Sequence, residues 1–134
     1  MKRGILYLNC ALNPKQYIEQ IVSIQTQQGY DFCSNSGIDL SGVFSETSKK
    51  KLYERKVFKE LLAHLETQFS KIDYLIVWDY TRLTNSYKEY QSLLEILDQY
   101  KIRIVQVRPN YYWEEFNDFI DDSNREFNQV INHE

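Results

Sequence analysis

Apolar positions along this chain alternate between short unbroken runs and stripes that recur every three or four residues. "RGILYLNC" is the first run, and its β-branched and aromatic content predicts a buried strand. In "NPKQYIEQIVSIQTQQG", Ile18, Ile21, Val22 and Ile24 stand at helical spacing. Asn13 fits a cap there, Pro14 the first helical position and Gly29 the stop. "YDFCS" reads as a short second strand, and "NSGIDLSGVFSETSKKK" as a long polar loop. "VFKELLAHLETQF" is an amphipathic helix with Phe58, Leu61, Leu62, Leu65 and Phe69 on one face. "DYLIVWD" is the clearest strand. "SYKEYQSLLEILDQY" is a helix turning Tyr90, Leu93, Leu94 and Leu97 inward, and "KIRIVQVRP" a further strand. Trp113 to Asn132 reads as a closing helix.

Strand and helix alternate, which predicts an α/β protein: a mostly parallel sheet with helices on both faces, three layers in all. In such sheets ligands gather at the carboxyl ends of the strands. Three segments meet there, "NCALN", the long loop and "DYTRLTNS". The 134 residues suit one domain, 1–134, with an α/β core to about residue 110 and a helix over about 112–132. No internal repeat or low-complexity segment interrupts it.

Composition narrows the classes. With 43% hydrophobic and 15% aromatic residues the chain can bury a core. It holds no apolar run near the roughly 20 residues of a membrane span, and Lys2 and Arg3 lead into a run without an export signal's length or cleavage site. The expected location is the cytoplasm, with no membrane partner. Cys10 and Cys33 make no CxxC pair and are expected as free thiols on buried strands. The net charge of −3 argues against a chain-wide nucleic-acid footprint. Its distribution is uneven: "SKKKLYERKVFKE" gathers Lys49, Lys50, Lys51, Arg55, Lys56 and Lys59, and "EEFNDFIDDSNRE" is acidic. Taken alone, either run is a solvated charged face.

Several chemistries lack their residues. The four glycines form no GxGxxG and no phosphate loop, so no nucleotide cofactor is expected. "YLNCA" lacks the acidic residues with which α/β phosphoacceptor domains hold a metal after the first strand. His64 and His133 lie far apart, and with the cysteines they make no metal-ligand spacing, so metal and cofactor are both expected to be none. Cys10 has no neighbouring histidine and reads as a core thiol.

The segment "YLIVWDYTRLTNSYKEY" resembles the serine recombinases, the resolvases and DNA invertases, where a strand is followed by Asp-Arg-Leu-x-Arg-Ser. Arg82 and Ser86 match that motif, while Thr81 stands for the aspartate and Asn85 for the second arginine. The family opens with Tyr-x-Arg-x-Ser and a glutamine nine residues on; here stand Tyr7, Asn9, Ala11 and Gln20. By this resemblance Asn9 replaces an arginine and Ala11 the nucleophilic serine. "DLSG", Asp39 to Gly42, is similar to the family's Asp-x-x-Ser-Gly at the second strand's exit, bringing in Ser41. "ERKVFKELL" is similar to its Arg-x-x-Leu helix start, putting Arg55 on another catalytic arginine after a loop that reads as an insertion. The resemblance spans residues 3 to 109 and implies a flavodoxin-like, resolvase-like fold.

In that family a serine hydroxyl attacks a phosphodiester, and fixed arginines meet the charge on the non-bridging oxygens. Alanine has no lone pair, so Ala11 ends covalent chemistry at its position. The resemblance therefore implies a catalytically impaired domain, a pseudoenzyme, associated with DNA recombination or its regulation. Its phosphate candidates are Lys49, Lys50, Lys51, Arg55 and Arg82, with Gln20 and Ser41 as further retained positions. A rival reading is a protein-interaction module that keeps only the fold. A third, an active recombinase using Cys10, needs a one-residue slip that turns the wrong strand face to the site. The expected partners are DNA, weakly and with salt sensitivity, and a second copy or a partner recombinase through residues 113–132. No helix-turn-helix domain is expected in this sequence.

Overall fold

The computed structural model describes residues 1–11 and 13–109. Strands β1 (Lys2–Asn9), β2 (Ile38–Glu46), β3 (Tyr74–Val77) and β4 (Arg103–Gln106) form one sheet in the order β2-β1-β3-β4, and every pairing is parallel. Helices α1 (Ile18–Asn35), α2 (Lys56–Gln68) and α3 (Tyr87–Gln99) connect them. The α/β class and parallel sheet are as the apolar pattern predicts.

β1 is buried from Gly4 to Asn9, as a central parallel strand must be. Its alternate residues feed two cores. Ile5 and Tyr7 pack with Phe58, Leu61 and Leu65 of α2 and Tyr90, Leu93 and Leu97 of α3. Leu6 and Leu8 pack on the other face with Val22 and Cys33 of α1. The period of two along the strand thus separates α1 from α2 and α3, giving the three layers.

Two predicted elements are different. "YDFCS" is no strand: α1 continues through Gly29 to Asn35, so Cys33 sits on a helix. Val22, Gln25, Gly29 and Cys33 lie at helical spacing on the inward face. Gly29 is there because a Cβ would come within 2.7 Å of Leu6 Cδ2, so it permits close approach to β1 instead of ending the helix. The turn falls later, at Gly37, with φ +70°. The long polar loop is largely β2, a half-exposed edge strand whose Ser and Gly content hid it. Pro14 precedes a 3-10 turn, Lys15–Tyr17, and α1 begins at Ile18 without a side-chain cap, so Asn13 does not cap it. Phe69 lies beyond α2 in a further turn, exposed and 5.1 Å from the Tyr100 ring. The predicted helix over 112–132 lies outside the described residues. Among the described residues no helix is long and apolar enough to cross a membrane.

Candidate functional site

The carboxyl edge of the sheet is assembled from four strand exits. At the first, buried Asn9 turns its amide on the loop after β2: Nδ2 donates to the Ser48 carbonyl at 3.0 Å, and Ser48 N–H donates to Oδ1 at 3.0 Å. Ala11 N–H also reaches Oδ1, at 3.3 Å. Asn9 is therefore a clamp between two strand exits and carries no charge. Ala11 is half-buried in the turn closed by Asn13 N–H on the Cys10 carbonyl, 3.1 Å. Cys10 is buried and directs its S–H at Gln25 of α1, 3.7 Å away. Burial pushes that thiol up, and the Arg82 charge pulls it partly back. The S–H is thus turned toward α1.

The second exit centres on Glu46. Its carboxylate accepts from Val57 N–H (3.1 Å) and Phe58 N–H (3.0 Å), and from Tyr7 O–H at 2.6 Å. Arg55 occupies the N-cap position of α2 without a side-chain bond to the helix end, so Glu46 serves that end in its place. This corrects the motif placement at β2. Asp39 to Gly42 lie in the first half of the strand, and the acidic residue at its exit is Glu46. Ser41 is the unpaired residue where the register shifts between Gly4 and Ile5, and its hydroxyl donates to the Gly4 carbonyl at 3.2 Å. The length read as a loop insertion before Arg55 is the rest of β2, the lysine loop and a 3-10 turn, Leu52–Glu54. Lys49, Lys50 and Lys51 are exposed on that loop.

Arg55 is buried, and its guanidinium is held by the fold. Nε donates to the Lys50 carbonyl at 2.9 Å; Nη1 donates to the Arg82 carbonyl at 2.8 Å and to the Tyr7 hydroxyl at 3.3 Å. Tyr7 thus accepts from Arg55 while donating to Glu46. Burial, then the bond to Glu46, push the Tyr7 phenol well above the ordinary tyrosine range.

At the third exit Asp79 accepts from Thr81 N–H at 2.9 Å and from the Thr81 hydroxyl, fixing the turn that carries Arg82. Arg82 is half-buried, and its Nε has no hydrogen-bond partner among the described residues. Ser86 caps α3, its Oγ accepting from Glu89 N–H at 3.3 Å, while Glu89 takes the Thr84 hydroxyl at 2.5 Å. Ser86 is thus explained by the helix start. Asn85 is exposed. At the fourth exit Arg108 N–H bonds the Trp78 carbonyl at 2.9 Å, and its guanidinium lies 5.9 Å from the Trp78 ring centre.

Asn9, Ala11, Lys49–Lys51, Arg55 and Arg82 therefore share one edge of the sheet. Gln20 is exposed on the first turn of α1, and Ser41 stands apart. Glu46 and Arg108 escaped the sequence reading. The signal for Glu46 was a helix, α2, with no capping residue of its own. Among the described residues no group of three or more His, Cys, Asp and Glu could hold a metal.

The fold has solved counterparts. A resolvase family site-specific recombinase from Streptococcus pneumoniae superposes with a TM-score of 0.68 at 11% identity, covering 98% of this chain and 91% of its own. The C-terminal catalytic domain of ISC1926 TnpA, an IS607-like serine recombinase, gives 0.60 at 20% identity, covering 90% and 79%. The N-terminal catalytic domain of TP901-1 integrase gives 0.59 at 15% identity, covering 96% and 93%. At these identities the likeness is one of fold. No curated protein matches the sequence. The family model "Resolvase, N terminal domain" matches residues 17–129, most of the chain, and so covers the edge from β2 to Arg108. The chain therefore belongs to the resolvase N-terminal domain family, that of the serine recombinase catalytic domains.

Proposed function

We propose that this chain is a resolvase-like domain that contacts DNA phosphates in recombination or its regulation and does not itself cut the strand. The observation that carries the reading is the pairing of Ala11 at the β1 exit with the half-buried Arg82 at the β3 exit, which makes no ion pair among the described residues. The first offers no oxygen to attack phosphorus. The second is a half-buried cation beside three exposed lysines. Asn9 and Asn85 remove two more charges from the cluster that would stabilise a pentacoordinate phosphorus. A partner recombinase, engaged through residues 113–132, would supply the cutting activity; a second copy, with the same Ala11, would not.

One observation favours the rival, a protein-interaction module that keeps only the fold. Arg55 directs donors to two backbone carbonyls and a tyrosine, so its retention has a structural reason. Fluorescence anisotropy with a labelled duplex, over a range of salt, separates the two readings. Contact through Arg82 and the lysines predicts micromolar or weaker binding that falls steeply with salt and weakens in Arg82→Ala. Binding indifferent to both salt and Arg82, or no binding at low salt, supports the module.

A further inference from the structure

The amino edge of the sheet, opposite the strand exits, carries a concave surface of its own. Two helix-to-strand turns run side by side there, one from α2 through the 3-10 turn Phe69–Lys71 into β3, the other from α3 into β4. Beside them lie two adjoining depressions that share Asp73 and Lys101 in their walls. One, of about 340 Å³, is lined by Lys2, Lys101 and Arg103; the other, of about 330 Å³, by Phe69 and Tyr100. Each falls within the roughly 300–1,000 Å³ of small-ligand sites. We propose that this trough holds an unpaired nucleic-acid strand, one base against Phe69 and the adjoining phosphates over Lys101, Lys2 and Arg103.

Lys101 is the most telling residue. It closes α3 as the residue after the cap, its own N–H on the Asp98 carbonyl at 3.1 Å and Ile102 N–H on the Leu97 carbonyl at 3.0 Å. The position takes φ +59°, where glycine is the usual occupant and a side chain is a cost. An exposed lysine helps neither that turn nor the core. It does put a cation in the wall common to both depressions. The same bonds occupy two of the carbonyls with which a helix end would repel phosphate.

The lining is otherwise suited to an anion with a ring. Asp73 is committed to the fold: its carboxylate accepts from Arg3 N–H at 2.9 Å and lies 3.8 Å from the Lys2 ammonium. With Asp98 it makes two acids against three cations, so the trough is net positive. Phe69 is 45% exposed, its ring centre 5.1 Å from that of Tyr100. An open ring beside cations is the pairing that binds unpaired strands: bases stack, and the backbone takes the charge. A duplex keeps its bases stacked on one another and offers Phe69 no face.

Photocoupling tests this on the full chain. A short oligothymidylate carrying 5-iodouracil, which couples to a ring stacked on it, is irradiated with the protein and the adduct mapped by mass spectrometry. Expected is an adduct at Phe69 or Tyr100, suppressed by excess unlabelled strand but not by the same amount of nucleotide as duplex or as thymidine monophosphate. Adducts confined to other residues, or none, would overturn the proposal. Suppression by the duplex or the monophosphate as readily as by the strand would overturn the strand as the ligand. Lys101→Gly, which relieves the backbone, should unfold at no lower a temperature while reducing the salt slope of strand binding by about 0.7. Phe69→Ala should weaken that binding about tenfold. Unchanged slope and affinity in these two variants would also sink the proposal. Arg82→Ala should keep the Phe69 or Tyr100 adduct; its loss there would move the strand to the carboxyl edge and overturn the placement.

Discussion

Arg55 and Arg82 stand at one edge of one sheet, and both match arginines of the recombinase motifs, yet their surroundings are unlike. Arg55 is buried and gives its donors to the carbonyls of Lys50 and Arg82 and to Tyr7. Arg82 is half-buried, and its Nε has no acceptor. One guanidinium is an internal brace joining the β1, β2 and β3 exits; the other leaves its buried Nε without a partner among the described residues. A matched motif position therefore does not reveal what its residue is retained for. Hydrogen-bond partners do.

The largest effect should come from removing the brace. Arg55→Ala leaves two carbonyls and the Tyr7 hydroxyl without their donor and should cost about 3 kcal/mol or more in urea denaturation. Arg55→Lys should recover little, because a single ammonium cannot span the forked contacts. A loss no larger than that of an exposed arginine would erase the distinction between the two residues.

Next in size is alkaline destabilisation. Burial pushes the Cys33 thiol up to about 11 from 9.0, and the Tyr7 phenol is raised above 10.0. Both groups are held neutral by the fold. The stability they contribute is fully present below the unfolded pKa values and is lost as pH rises toward the folded ones. Cys33 should therefore withdraw up to about 2 kcal/mol between pH 9 and 11, with Tyr7 adding to the loss above pH 10. Tyr7→Phe should cost about 1 kcal/mol at neutral pH, by unlinking Arg55 from Glu46, and its stability should fall less steeply above pH 10. Parallel pH profiles for the two chains would remove Tyr7 from the brace.

Arg82→Ala should change stability by less than about 1 kcal/mol while reducing the salt slope of DNA binding by about one. Smallest of all is the effect expected of Ala11→Ser: no strand cleavage, because Asn9 and Asn85 still lack charge and the residues of such a site act as a unit. Recovered cleavage would show that the rest of the cluster suffices.

Elements that bury one continuous apolar run or a strict helical stripe were legible in the sequence: β1, β3, β4, α2 and α3. The α1–β2 region was not, for two physical reasons. Gly29 looks like a helix stop, but its missing Cβ serves the contact with Leu6. β2 is an edge strand with one face in solvent, so Ser41, Gly42 and Ser45 blur its alternation. The error carried into the site: with β2 read as a loop, the exit was put at Asp39–Gly42 and Glu46 was overlooked. The spacing of Arg55, Arg82 and Lys49–Lys51 did bring them to one edge, because in a parallel sheet every strand exit lies at the same end. What each arginine touches depends on residues distant in the chain, such as Tyr7 for Arg55, and no local pattern reports that.

A phosphate-contacting edge without a nucleophile should bind DNA and never become joined to it, a difference that covalent trapping reads. The full chain is incubated with a labelled suicide duplex, whose nick lets the cleaved end escape, and resolved on a native and a denaturing gel. Expected are a salt-sensitive shift on the native gel and no protein-linked DNA on the denaturing one. A covalent species, mapped to a phosphoserine or to phosphocysteine at Cys10, would contradict it.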